Sequence, residues 1–165
     1  MKRLTIVRSL TAIAGTATFA AVFTPSVSGA QGAAQAALPP AQTAGKRVIN
    51  PSGRGSSMLS PGIMIGNTLY LSGQLGTAGR DSGVTGETKA AIESARRILQ
   101  AAEMDLKDVV SVTAFLVDTA DYRPFNSAYT SLFTTDPRPT RTTVFVKQLV
   151  NNAKVELTMT AVKTP

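Results

Sequence analysis

Cysteine and histidine are both absent from the 165 residues of this chain. Without cysteine there is no disulfide and no thiol nucleophile. Without histidine, Ser-His-Asp and Cys-His catalysis, histidine acid–base chemistry and nearly all zinc sites are excluded. Any chemistry must therefore use carboxylates, hydroxyls, backbone groups, lysine or arginine, and we predict neither a metal site nor a cofactor.

Positive charge is in modest excess and is not clustered. The formal net charge is +7, to which Lys2, Arg3 and Arg8 at the N-terminus contribute. No run of three or more basic residues occurs anywhere in the chain. Dispersed charge of this size provides no surface that follows a phosphate backbone, so we expect no nucleic-acid partner.

The first 30 residues have the pattern of a secretory signal peptide. A basic start precedes an apolar, small-residue run from Leu10 to about Phe23, and the small residues of Val27-Ser28-Gly29-Ala30 follow. This order predicts cleavage after Ala30, with Ala36 as a second candidate. The alternative is a membrane-anchoring helix, but a run of about 14 residues is short for a span.

Residues 31–46 are rich in alanine, glutamine, glycine and proline and show no periodicity. We interpret them as a flexible tether between the signal peptide and one domain, residues 47–165. The predicted location of the mature protein is the periplasm or the medium, with no membrane association after cleavage.

The domain has the patterns of two helices and several strands. The predicted helices are 87–103 and 122–133, the second capped by Asp118 and Asp121. The predicted strands are 46–50, a hairpin in 62–74 that turns at Gly66-Asn67, 109–118, 139–146 and 154–163. The glycine-rich residues 76–86 are predicted to be a mobile loop. This order predicts an α+β domain with two helices on one face of a mixed sheet.

Both faces of the predicted strand 109–118 are largely apolar. Val110, Val112 and Ala114 are expected on one face, and Ser111 and Phe115 on the other. Two helices cover one face of so small a sheet, so the second face needs another layer. The simplest layer is another copy of the chain, and we therefore expect an oligomer.

Arg141 lies at the start of a strand introduced by Pro137 and Pro139. Its planar guanidinium group matches a carboxylate in bidentate fashion, which suggests an anchor for a small carboxylate-bearing ligand. The alternative is a solvated arginine at a strand end. Asn126 lies on the apolar stripe of the second helix, where a buried amide needs partners, so it is either a structural clamp or part of a site.

Several ordered segments resemble the RidA (YjgF/YER057c/UK114) family. Residues 66–74, GNTLYLSGQ, are similar to its GN-x-x-x-x-SGQ segment, and 139–144, PTRTTV, to its P-x-R-[ST]-x-V signature. The spacing of Asp118, Asn126, Tyr129 and Phe133 resembles the middle of the family. The resemblance covers about residues 48–163 and implies a divergent, exported member with a chorismate-mutase-like fold and a homotrimer with three clefts between subunits.

The resemblance also implies an activity, the hydrolysis of reactive enamine/imine intermediates to 2-oxo acids and ammonia. Arg141 would hold the substrate carboxylate, and backbone groups at Gly73 and Thr143 would orient the imine and a water. Asn126 would contribute to substrate binding. By spacing, the family's tyrosine upstream of the hairpin falls at about Leu59.

One departure from the family pattern concerns proton transfer. Active deaminases of the family carry a glutamate two residues after the position of Glu156, where this chain has Thr158. A threonine hydroxyl can hold a water but is a poor base, and Glu156 itself matches a separate family glutamate. The alternative function is a non-catalytic trimer that binds small carboxylates or acts as a chaperone-like module. An endoribonuclease is less favoured, because the chain has no histidine and no clustered charge.

Overall fold

A seven-stranded mixed sheet organises the part of the chain that the computed structural model describes, residues 45–53 and 58–164. The predicted signal peptide and tether residues 31–44 lie outside the described residues. The strands are β1 (Arg47–Ile49), β2 (Gly62–Ile65), β3 (Thr68–Leu71), β4 (Gln74–Leu75), β5 (Val109–Leu116), β6 (Thr140–Phe145) and β7 (Val155–Val162).

The sheet has the order β1-β2-β3-β7-β5-β6, and β4 extends the pairing along β7. The β5–β6 pair is parallel and the other pairs are antiparallel. The predicted hairpin is confirmed, since β2 and β3 turn at Gly66-Asn67 with Gly66 at a φ of 59°. Glycine adopts this left-handed conformation without the steric cost of a side chain.

Two helices cover one face of the sheet, as predicted. They are α1 (Gly83–Ala101) and α2 (Tyr122–Leu132). Buried residues of α1 recur at spacings of three and four, including Ala91, Ala95 and Leu99, and form one apolar stripe. This stripe and Phe125 of α2 belong to the same core as Leu157 in β7. The predicted α+β class, with helices on one face of a mixed sheet, is therefore confirmed.

The glycine-rich segment is ordered, so the prediction of a mobile loop over residues 76–86 is wrong. Residues Thr77–Ser82 form a 3-10 helix, and α1 begins at Gly83, four residues before the predicted start at Glu87. A Cβ at Gly79 would collide with the backbone of Gly86. These glycines therefore allow two backbone segments to approach each other closely, which local sequence patterns do not reveal.

Two smaller predictions are corrected at β5 and α2. The register shifts between Val109 and Ser111, which leaves Val110 45 % exposed instead of facing the core. A β-bulge of this kind changes which side chains face inward. Asp121 is the N-cap residue of α2, but its side chain makes no capping hydrogen bond. Its carboxylate instead accepts from the Lys154 Nζ at 3.0 Å. Asp118 does cap the turn before α2, where it accepts from the Ala120 N–H at 2.9 Å.

Candidate functional site

Arg141 points toward the helices from the edge strand β6. It pairs with Val112 of β5, which is buried against the helical layer. The Arg141 Nη2 donates to the Asn126 Oδ1 at 2.6 Å. The structure therefore joins two predicted site residues from β6 and α2 and provides a donor for the side-chain oxygen of Asn126.

Aromatic rings support the Arg141 guanidinium. Its Cζ lies 5.1 Å from the ring centroid of Phe125 and 4.7 Å from that of Tyr129. Cation–π contacts of this kind stabilise a cation and restrict its motion. Elsewhere in the described residues, no carboxylate forms an ion pair with Arg141 and no second side chain accepts from it. The guanidinium is thus held in place while most of its N–H groups remain available to a ligand.

Thr143 lies two residues beyond Arg141 on β6 and has the same orientation. It pairs with Ala114, a buried residue of β5, and is itself half-buried. Alternation along a strand places residues i and i+2 on one face. Arg141, Asn126 and Thr143 therefore form one group, which we call the arginine half-site.

A second group lies on the opposite, outer face of the sheet. Thr158 pairs with Thr113, and Glu156 with Phe115, in the β5–β7 ladder. A Cβ at Gly73 would collide with the Glu156 Oε1, so the carboxylate of Glu156 lies against the backbone of Gly73. We call Gly73, Glu156 and Thr158 the glycine half-site. Sequence reasoning named Gly73 and Thr158 as site residues. It matched Glu156 to a separate family glutamate, which could replace the missing base only if the register differed. The proximity of these residues depends on the pairing of distant strands.

Leu59 lines a cleft of about 370 Å³ that also includes Gly73 and Gln74. Gln74 is buried; its Nε2 donates to the Ser72 carbonyl at 2.8 Å, and its Oε1 accepts from the Ser94 hydroxyl at 2.8 Å. These bonds connect the strand segment to α1. The Gln74 side chain therefore has a structural role, and it fixes the backbone at Gly73 beside the cleft.

The two half-sites do not meet within one chain. Arg141 faces the helical layer, because it pairs with the buried Val112, whereas Thr158 projects from the other face beside Thr113. Side chains on opposite faces of a sheet are separated by its backbone. A ligand of a few atoms therefore cannot contact both Arg141 and Thr158 of the same chain.

Tyr129 has a buried hydroxyl beside the arginine half-site. Its side chain is 3 % exposed, and the hydroxyl has no hydrogen-bond partner within the described part of the chain. Burial raises the pKa of Tyr129 to about 12, although the charges of Arg141 and Arg138 act in the opposite direction. The phenol is therefore neutral at physiological pH.

Tyr129→Phe should leave the thermal stability unchanged or raise it, because an unsatisfied buried hydroxyl costs about 1–3 kcal/mol. The ring and its contact with Arg141 would be retained. The check is the melting temperature of the variant beside that of wild type. A clear fall in melting temperature would mean that the hydroxyl is hydrogen-bonded in the assembled protein.

Neither a metal centre nor a membrane span is recognisable in residues 45–53 and 58–164. There, no group of three or more aspartate, glutamate, histidine or cysteine residues could hold a metal ion. None of the helices in these ranges is both long and apolar enough to cross a bilayer.

Comparisons with known proteins agree with this fold. The family model described as endoribonuclease L-PSP matches residues 54–163. A RutC family protein of Saccharolobus solfataricus is 35% identical over 109 residues, covering 63% of this chain and 86% of that protein. The human 2-iminobutanoate/2-iminopropanoate deaminase is 31% identical over 111 residues, covering 64% of this chain and 80% of the enzyme.

A solved structure shows the same architecture. The crystal structure of RidA from an Antarctic Psychrobacter superposes with a TM-score of 0.62 at 27% identity, covering 74% of this chain and 99% of that one. The match to the family model extends over most of the chain and includes the strands that carry both half-sites. The chain therefore belongs to the RidA (YjgF/YER057c/UK114) family, whose family model bears the description endoribonuclease L-PSP.

Proposed function

We propose that this protein hydrolyses 2-imino acids, or the enamines in equilibrium with them, to 2-oxo acids and ammonia. The observation that carries the proposal is the state of Arg141. Its guanidinium is held by Asn126 and two aromatic rings, and it has no carboxylate partner among the described residues. Such a group is prepared to bind the carboxylate of a small acid in bidentate geometry.

The reaction requires water to attack the imine carbon while the carboxylate is anchored. Arg141 binds the carboxylate, and the backbone at Gly73 and Thr143 orients the imine and the water. The Thr158 hydroxyl holds the water. The carbon–nitrogen bond then breaks and ammonia leaves. Holding the reactants in this arrangement lowers the barrier, because their relative motion is already restricted before reaction.

The proposed active site lies between two chains. The arginine half-site of one copy faces the glycine half-site of the next, and Leu59 lies at the edge of the same cleft. Two observations support this arrangement: the half-sites occupy opposite faces of the sheet, and the outer face exposes apolar side chains such as Tyr70 and Val144. Three copies related by a rotation axis close such a head-to-tail contact into a trimer with three clefts.

The human relative's name supports this substrate class, because that protein is a 2-iminobutanoate/2-iminopropanoate deaminase. The alternative is a trimer that binds small carboxylates without turnover or acts as a chaperone-like module. The presence of Thr158 favours it, because a threonine hydroxyl is a poor base.

We further propose that the mature protein, residues 31–165, acts in the periplasm or the medium.

The test is imine hydrolysis by residues 31–165 with freshly generated 2-iminobutanoate, comparing wild type with Arg141→Ala. We expect wild type to accelerate formation of the 2-oxo acid and Arg141→Ala to lose at least about 100-fold in kcat/KM, because the carboxylate anchor is gone. Matched melting temperatures would show that both chains fold.

No turnover by a folded wild-type trimer would reject the deaminase. Stabilisation against heat by small carboxylates, present in wild type and absent in Arg141→Ala, would then support the binding module.

A further inference from the structure

Glu156 is the one acidic residue within the seven described strands. It projects from β7 on the outer face of the sheet, where it pairs with Phe115 of β5 and with Leu75 of β4. Apolar neighbours on both sides are an unfavourable environment for a carboxylate, because they do not replace the hydrogen bonds that water provides.

The Glu156 carboxylate also lacks a structural partner. Among the described residues, none donates a hydrogen bond to it and none forms an ion pair with it. Glu87, the one fully buried carboxylate among the described residues, differs in this respect: it accepts from the Lys154 backbone N–H at 2.7 Å and lies 3.9 Å from the Arg80 Nε. A half-buried carboxylate without such partners does not stabilise the fold through hydrogen bonds.

Gly73 leaves room for this carboxylate beside its backbone. A Cβ at residue 73 would occupy the space that the Glu156 Oε1 occupies, so the absence of a side chain allows the contact. The backbone of Gly73 is the group that orients the imine in the proposed function. The carboxylate therefore lies beside the place where the reacting carbon and the attacking water would be.

We propose that Glu156 is the catalytic residue that transfers protons in imine hydrolysis, the role that Thr158 cannot fill. This inference rests on the proposed function. The Cα atoms of Glu156 and Thr158 are about 6.7 Å apart on one face of the strand. A single water can therefore accept or donate a hydrogen bond at the Thr158 hydroxyl and also approach the carboxylate.

The proton balance has three steps. The water oxygen forms a bond to the carbon of the protonated imine, the carbon–nitrogen π pair moves to nitrogen, and Glu156 takes the proton that the water loses. Glu156 then gives this proton to the amine nitrogen. Finally, Glu156, which is a carboxylate again, takes the proton of the hydroxyl as the carbonyl forms, and the carbon–nitrogen bond breaks with its electron pair leaving on ammonia.

The test measures kcat and KM for 2-iminobutanoate as a function of pH, with wild type, Glu156→Gln, Glu156→Asp and Thr158→Val. General acid–base catalysis contributes about 10²–10⁴-fold. We therefore expect Glu156→Gln to lower kcat at least about 100-fold with little change in KM, and to lack the fall in rate at acidic pH that we expect of wild type. Glu156→Asp should keep this fall with an intermediate kcat, and Thr158→Val should lose less than about tenfold.

The outcomes separate this inference from the proposed function. Arg141-dependent turnover in wild type with full activity in Glu156→Gln would overturn the role of Glu156 and leave the deaminase standing. A loss in Thr158→Val as large as that in Glu156→Gln would also overturn it. No turnover in folded wild type would reject both. If Glu156→Gln fails to fold, the pH profile of Glu156→Asp decides: a missing acidic limb would contradict the inference.

Discussion

Mixed trimers of Arg141→Ala and Glu156→Gln chains should recover imine hydrolysis that neither chain has alone. Each proposed cleft takes its arginine from one chain and its glutamate from the next. In a trimer assembled from both variants, some clefts receive an intact Arg141 and an intact Glu156. For random assembly from equal amounts in a head-to-tail ring, about one quarter of the clefts are complete, so we expect about one quarter of the wild-type rate.

The measurement is the rate of 2-iminobutanoate hydrolysis after the two chains are unfolded together and refolded. The matched control mixes Arg141→Ala with a chain that carries both substitutions, which produces no complete cleft and should stay inactive. A hydrolysis rate no higher than that of this control would show that the two half-sites do not combine across chains. Because this prediction depends on the proposed function and on the role of Glu156, both single variants are assayed first.

Gly76→Ala should destabilise the protein by about 3 kcal/mol, near the upper end of the range for overpacked sites. A Cβ at residue 76 would collide with the backbone carbonyl of Glu87 in α1. A flexible side chain could move away, but this contact is with the backbone of a helix that packs on the core, so the helix or the preceding segment must shift. The measurement is the free energy of unfolding from denaturant titration.

Two other glycines serve as controls for Gly76→Ala. A Cβ at Gly45 would meet no atom within 4 Å, so Gly45→Ala should be neutral. Gly66 also has open space around it, but its φ is 59°, so Gly66→Ala should cost about 1 kcal/mol from backbone strain alone. Equal stability of Gly76→Ala and Gly45→Ala would contradict the steric explanation.

Local sequence patterns predict the structure correctly where it depends on residues close together in the sequence. The alternation of apolar and other residues along β7 predicts that Val155, Leu157 and Met159 share one face, and all three are buried in the core. The pair Gly66-Asn67 marked the hairpin turn, since such turns require a left-handed backbone. The residue type of Arg141 was enough to suggest a carboxylate anchor, because its chemistry does not depend on its neighbours.

Patterns failed where an interaction joins distant segments. The bulge that exposes Val110 arises from pairing with β7 some 50 residues later. Gly76, Gly79 and Gly86 predict a loop, although they allow close contact between a 3-10 helix and α1. In both cases the local sequence is compatible with the predicted structure as well as with the observed one. Only packing against another element selects the observed structure.

The sequence by itself determined the fold class, the family resemblance and the residue type of the anchor, because periodicity and side-chain chemistry are properties of short segments. Only the tertiary structure decided that Arg141 lies against Asn126, Phe125 and Tyr129. It alone placed Glu156 against Gly73 and separated Arg141 from Thr158 by the sheet. The physical reason is strand register: whether two side chains share a face depends on how strands far apart in sequence pair, and a shift of one residue reverses the result.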